Sequence, residues 1–245
     1  MEQRHDLEMQ FHDQREIDRK NMSKEEFENK YPNKRLYKIS SNTSHYILKL
    51  LAKHIKEDSK FLDYCCGTGE TAKEAAVFSE NIYGIDISPK SVNSAYENVK
   101  QIRPSVAKKN FKPMNAESTE FEDDFFDVIM CNGVLHHLDT ALAFKELSRI
   151  LKKDGIVICH ESLGYNPIIQ LYRKLTPNIR TAWETDHILK GKDFKRAKKH
   201  FRRRDYKYFN LCSLVTIPFI RTPFFGILKR ITHLIDSIVL KIPIV

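Results

Sequence analysis

At 245 residues the chain has room for one substantial α/β domain and little beyond it. Hydrophobic residues make up 41% and charged residues 30%, ordinary for a soluble globular protein, and the scarcity of Gly and Pro argues against long disordered stretches. The formal charge is +9, and it is uneven: residues 195–207 (KRAKKHFRRRDYK) are densely basic and residues 117–127 (ESTEFEDDFFD) acidic, so an anionic partner is favoured without being specified.

Residues 1–35 are polar and helix-prone, and Ser23 with Glu26 fits a capping box for a short helix. The opening decapeptide MEQRHDLEMQ has no apolar core, so no signal peptide is expected. Residues 41–56 place Tyr46, Ile47, Leu50, Leu51 and Ile55 at helical spacing. Strand and helix signals then alternate. Strands are predicted over 60–65, 81–88, 110–117, 126–132 and 156–162. Helices are predicted over 70–79, from Pro89 to about Val99, and over 141–153, the last closed at Asp154-Gly155 by a left-handed residue. This rhythm implies an α/β architecture: a doubly wound, mostly parallel sheet with helices on both faces. After Ser162 the rhythm breaks. Residues 163–192 read as an insert that folds over the opening as a lid, 193–201 as a basic helix, 206–219 as holding a sixth strand, and the end as an amphipathic tail. The expected organisation is a helical segment over 1–56 covering the site, a core over 57–162, and an extension over 163–245.

The five cysteines, Cys65, Cys66, Cys131, Cys159 and Cys212, include no CxxC pair. Their spacing gives neither a metal site nor a disulfide framework, and reduced thiols in a cytoplasmic protein are expected. No metal is expected. No apolar run reaches the ~18 residues that a spanning helix needs.

Ligands of open parallel sheets bind beyond the carboxyl ends of the strands, where strand order reverses. Here the first strand closes on Asp63-Tyr64-Cys65-Cys66-Gly67-Thr68-Gly69, and the second ends at Asp86, followed by Ile87. Gly67, Gly69 and Ala72 also satisfy the dinucleotide pattern G-x-G-x-x-A. Charge separates the two cofactors. A pyrophosphate wants backbone N–H groups and no carboxylate, whereas the ammonium of S-adenosylmethionine wants an acidic partner such as Asp63. Asn115-Ala116-Glu117 follows the third strand, where an acceptor oxygen and a backbone N–H suit an adenine edge.

The motifs DYCCGTG, GIDIS, NAE, FDVIMCNGVLHHL and LKKDGIVICHE, in this order between Phe61 and Ser162, resemble the class I methyltransferases of the ubiquinone/menaquinone methyltransferase-like group. The resemblance implies a Rossmann-like fold and S-adenosyl-L-methionine as cofactor. It implies Asp63, Cys65, Gly67, Thr68 and Gly69 around the methionine end, Asp86 and Ile87 at the ribose and adenine, Asn115, Ala116 and Glu117 along the adenine, and Cys131 offering backbone contacts. Cys65 stands where the group has its first glycine, and Asn115 where it has aspartate.

For chemistry, His136, His137 and His160 lie at the rim as base candidates, needed only if the acceptor must lose a proton. Glu161 and the insert residues Tyr165, Asn166, Tyr172, Arg180, Trp183 and His187 are candidate substrate contacts. The acceptor is expected to be a small molecule or an amphiphile (lipid-linked, quinone or glycan-type). The basic cluster and the apolar stripe over 219–242 indicate contact with an anionic membrane surface. Two rivals stand beside this reading. A nucleic-acid methylase would use the basic patch, but the Asn/Asp-Pro-Pro-aromatic turn and the Pro-Cys nucleophile are missing. A non-catalytic interaction protein would keep the fold without cofactor affinity.

Overall fold

The computed structural model describes residues 2–32, 38–176, 181, 183–184 and 187–240. Helix α1 (Glu2–Asn21) is followed by α2 (Lys24–Lys30), and the capping box forms: Glu26 N–H donates to Ser23 Oγ at 3.3 Å and Ser23 N–H to Glu26 Oε2 at 2.8 Å. Helix α3 (Ser41–His54) leads into the alternating core. This runs β1 (Phe61–Tyr64), α4 (Glu70–Ala75), β2 (Ile82–Asp86), α5 (Pro89–Lys100), β3 (Phe111–Pro113), β4 (Phe126–Asn132), α6 (Thr140–Ile150) and β5 (Leu151–His160). Beyond it lie α7 (Pro167–Leu175), α8 (Gly191–His200) and α9 (Phe225–Val239).

All five strands are parallel, in the order β3-β2-β1-β4-β5. The chain winds outward from β1 in one direction and then returns to place β4 on its other side, so the switch point falls between β1 and β4. Strand β1 is central and buried along its whole length, which is why FLDY carries no solvent-facing alternation. Its period of two still divides the core. Phe61, with Val128 and Met130, packs under α3, α4 and α5 through Leu51, Ala72, Ala95 and Val99. Leu62 and Tyr64, with Ile129 and Cys131, pack under α6 through Ala143, Phe144, Leu147 and Ile150. Helices cover both faces, as the rhythm implies.

Two expectations need correction. The helix predicted over 141–153 stops at Ile150; Leu151 is already extended and pairs with Phe126, and Gly155 is not left-handed. Packing explains the glycine instead. A Cβ there would come within 2.8 Å of Leu151 Cδ1 and 3.0 Å of Asp127 O, in the irregular stretch of β5 where the register shifts. The sixth strand is also absent among the described residues. Ser213–Phe219 winds into a 3-10 helix, with Cys212 and Ser213 N–H groups donating to the Asp236 carboxylate of α9 and Thr216 Oγ1 to Ser213 O. A helix-like cap and Pro218 thus outweigh the β-propensity of LVTI, and β5 remains the edge.

Candidate active site

The crevice at the carboxyl ends of β1 and β2 is built by backbone that only a few residue types tolerate. Cys65, Gly67 and Gly69 all have positive φ, at 58°, 50° and 76°. A Cβ on Gly69 would lie 2.9 Å from Ala95 Cα, so that glycine lets α4 start against α5. A Cβ on Gly67 would meet nothing within 4 Å: its side faces open space at the crevice. Asp86 braces this turn, accepting from Gly67 N–H at 2.9 Å and from Ser88 N–H at 2.9 Å. Thr68 holds the turn from the other side, its carbonyl accepting from Asn98 Nδ2 at 2.9 Å. Ile87 is half-buried beside it.

Asp63 is buried and accepts Ala72 N–H at 2.9 Å; among the described residues no lysine, arginine or histidine pairs with it. Burial, with the Asp86 carboxylate nearby, pushes its carboxyl up to about 8, against the one N–H that favours the charged form. A buried acid in this state is stabilised by any cation that arrives. Burial likewise pushes the Cys65, Cys66 and Cys131 thiols well up, so they behave as packing groups and not as nucleophiles.

The adenine-side residues are engaged locally. Asn115 Oδ1 accepts Glu117 N–H at 2.9 Å, and the Ala116 carbonyl accepts the Tyr64 hydroxyl. The Glu117 carboxylate takes Asp139 N–H at 2.6 Å and Arg4 Nη2 at 2.5 Å, with His5 Nε2 at 3.3 Å. Arg4 and His5 belong to α1, which crosses the carboxyl ends of the sheet. Along that helix Glu8 meets His137 at 3.1 Å, Asp13 accepts from Ser88 Oγ at 2.5 Å, and Glu16 accepts from Ser94 Oγ at 2.5 Å. These contacts span the crevice from the turn after β4 to the start of α5. The sequence predicts a helical segment over residues 1–56, but none of these contact residues was anticipated from it. The signal was present: Glu8, His12 and Glu16 recur every four residues and mark one face. With α1 seated, a cleft of about 230 Å³ remains between α1 and α5, lined by Glu16, Ile17 and Lys90 among others. A second, of about 90 Å³, lies beside Leu138 and Trp183. Neither is lined by Gly67 or Asp86.

The three histidines sit at the rim in different states. Glu161 Oε1 accepts the Val134 and Leu135 N–H groups, each at 2.7 Å, and Oε2 meets His136 Nδ1 at 2.8 Å. Glu161 therefore caps the 135–137 turn. Burial pushes the His136 ring down, but Glu161 and Glu184 outweigh it and hold the ring above its ordinary value. His137 goes the other way, lowered by burial and by His136. His160 is half-buried, its Nδ1 on Asn132 Oδ1 at 2.9 Å, and burial lowers it too. The insert reaches the site through Trp183, which stacks on His187 at 3.5 Å and lies under the Arg4 guanidinium at 4.4 Å. Tyr165 is exposed and its hydroxyl accepts Gly191 N–H at 2.5 Å, while Asn166 accepts Ile169 N–H at the start of α7. These two close turns of the insert itself. Arg180 and the Tyr172 side chain lie outside the described residues.

Residues 62–159 match the family model described as a methyltransferase domain. An uncharacterised protein of Methanocaldococcus jannaschii, MJ1252, is 31% identical over 157 residues, covering 64% of this chain and 52% of its own length. The demethylmenaquinone methyltransferase of Staphylococcus aureus is 28% identical over 127 residues, covering 49% of each. The chain thus spans about half the length of these curated relatives. The crystal structure of YcgJ from Bacillus subtilis shares the fold at a TM-score of 0.54 and 23% identity, covering 78% of this chain and 83% of that one. Residues 62–159, about two fifths of the chain, thus match a methyltransferase domain and lie on a five-stranded parallel sheet.

Proposed function

We propose that the protein transfers the methyl group of S-adenosylmethionine to a small or amphiphilic acceptor. The observation that carries this is the buried Asp63 carboxylate, without a cationic partner among the described residues, behind a glycine turn whose Gly67 faces open space. A cationic amino-acid end fits that place, and a pyrophosphate does not. When bound, the cofactor supplies an activated methyl carbon. The chain's own residues bind, orient and exclude water. Asp63 would hold the ammonium and Asp86 the ribose hydroxyls. Helix α1, fastened across the crevice at Ser88, Ser94 and His137, would have to shift for a nucleoside to enter.

Calorimetry with S-adenosylhomocysteine tests the site. Asp63→Asn and Asp86→Asn should each weaken binding by roughly 10- to 100-fold, the worth of a charge-assisted hydrogen bond at about 1.5–3 kcal/mol. Unchanged affinity in both, or tight binding of NADH by the wild type, would falsify the reading.

For an acceptor that must lose a proton, His160 is the base this geometry favours. If its Nδ1–H donates to Asn132, Nε2 is left free to accept, and the lowered ring is neutral at pH 7. Turnover should then persist through neutrality and fall only below the ordinary imidazole range of about 6.5. His160→Gln should lower kcat about 10²-fold or more. A wild-type pH profile retained in that variant would remove the role.

The amphiphilic acceptor is supported by α9. Phe224, Ile227, Ile231, Leu234 and Ile238 are all exposed, with Arg221, Lys229 and Arg230 among them. No described helix is long and apolar enough to cross a membrane, so the arrangement suits lying on an anionic surface. The demethylmenaquinone methyltransferase relative, by its name, acts on demethylmenaquinone. Flotation with anionic vesicles should retain the full chain and lose Ile231→Asp/Leu234→Asp. Equal partitioning of the two proteins would count against it.

A further inference from the structure

We propose that Glu8, His12 and His137 form a binding site for one divalent transition-metal ion, with zinc the expected occupant. Glu8 Oε2 lies 3.1 Å from His137 Nδ1 and 3.6 Å from His12 Nε2, and all three ligand atoms fall within 4.8 Å of one another. A tetrahedral zinc with bonds of about 2.0–2.2 Å spaces its ligands roughly 3.3 Å apart. Two edges of the triangle are already close to that spacing. The third, between the histidines, is within 4.8 Å and would have to shorten when an ion binds.

The donor set argues for the class of ion. Two imidazole nitrogens and one carboxylate oxygen suit zinc and its neighbours; magnesium and calcium prefer oxygen throughout. Three protein ligands leave at least one position for water or an acceptor oxygen, as in open zinc sites. The surroundings orient the ligands. Thr181 Oγ1 donates to Glu8 Oε1 at 2.5 Å and so leaves Oε2 facing the rings. The 135–137 turn that presents His137 is fixed through Glu161. Outer partners of this kind hold metal ligands in register elsewhere. Glu8 itself is 5% exposed, so the ion would be largely shielded.

The cysteine spacing could not disclose such a site, because its ligands come from two distant segments and none is a thiol. Glu8 and His12 sit one turn apart on α1, and His137 follows β4. An ion there ties the covering helix to the rim of the crevice. Ion binding is measured apart from cofactor binding, so this proposal and the methyl-transfer reading can fail separately.

The test uses the full-length chain without a histidine tag. Elemental analysis after growth in zinc-supplemented medium should return close to one zinc per chain. After chelation, a cobalt(II) titration should give one equivalent with the visible ligand-field bands of a four-coordinate ion. Glu8→Gln and His12→Gln should weaken cobalt binding about tenfold or more. His200→Gln, on the exposed end of α8, should bind as the wild type does. Circular dichroism and the metal-free melting temperature establish that each variant is folded. Zinc should raise the melting temperature of the wild type and not that of His12→Gln. Absence of stoichiometric metal together with no cobalt bands in the wild type overturns the site, as does equal cobalt affinity in wild type, Glu8→Gln and His12→Gln.

Discussion

The sheet core and the helix laid across it are held by opposite means. In the core the buried side chains are overwhelmingly apolar: Phe61, Leu62, Ile129, Met130 and Leu147 are at or near full burial. In α1 the buried residues are Glu8, Glu16 and Asp18, all acids, and no apolar side chain of that helix is fully buried. Apolar burial is non-directional and cooperative with the whole domain. Charge-assisted hydrogen bonds are local and respond to pH and salt. The difference marks which part can move. A cover fastened by carboxylates to Ser88, Ser94, His137 and Thr181 can be released without unfolding the sheet beneath it.

The comparison can be broken in three ways. The largest effect belongs to the core: Leu147→Ala should cost about 2–5 kcal/mol in denaturant unfolding, since it opens a cavity where α6 meets the sheet. A loss well under 1 kcal/mol would mean that the core is less tightly packed than its burial implies. Acid should act first on α1. Burial raises the Glu16 carboxyl, but hydrogen bonds from Arg19 and Ser94 and the charges of Arg19 and Lys20 outweigh it and hold it below its ordinary value. Asp13 is lowered in the same way by Ser88 and Lys90. Depressed acids contribute stability above their unfolded values, about 4, and lose it as pH falls through the folded ones. Protection from hydrogen exchange, relative to the free chain, should therefore be lost in α1 while β1 and β4 stay protected as pH falls below about 4. Simultaneous loss in both regions would make α1 part of the core. The smallest effect is Ser94→Ala, which removes one contact to Glu16 and should cost about 1 kcal/mol or less.

Legibility followed the same division. Strand β4 runs over the residues that its apolar stretch predicts, Phe126–Asn132, and β1 and β2 fall inside their predicted spans, because period and burial are local properties. Asp63 lies in β1, Asp86 closes β2, and Gly67 and Gly69 stand in the turn after β1, so their places in the fold follow from the strand rhythm. Where the sequence misled, a distant partner decided. Leu151 is drawn from the helix into β5 by Phe126, and residues 213–219 are capped by Asp236, more than a dozen positions on. The partner of the Glu117 carboxylate was likewise hidden: it is Arg4, more than a hundred residues earlier. Pairings of that separation leave no periodic trace in a single sequence.

Asp236 carries a practical consequence. By receiving two backbone N–H groups from residues 212 and 213, it rivets the final helix to the body in one orientation. The greasy side of α9 is then on permanent display and needs no trigger to be revealed. Such a protein should adsorb to detergent micelles, and self-associate as salt screens its positive charge, whether or not any ligand is bound.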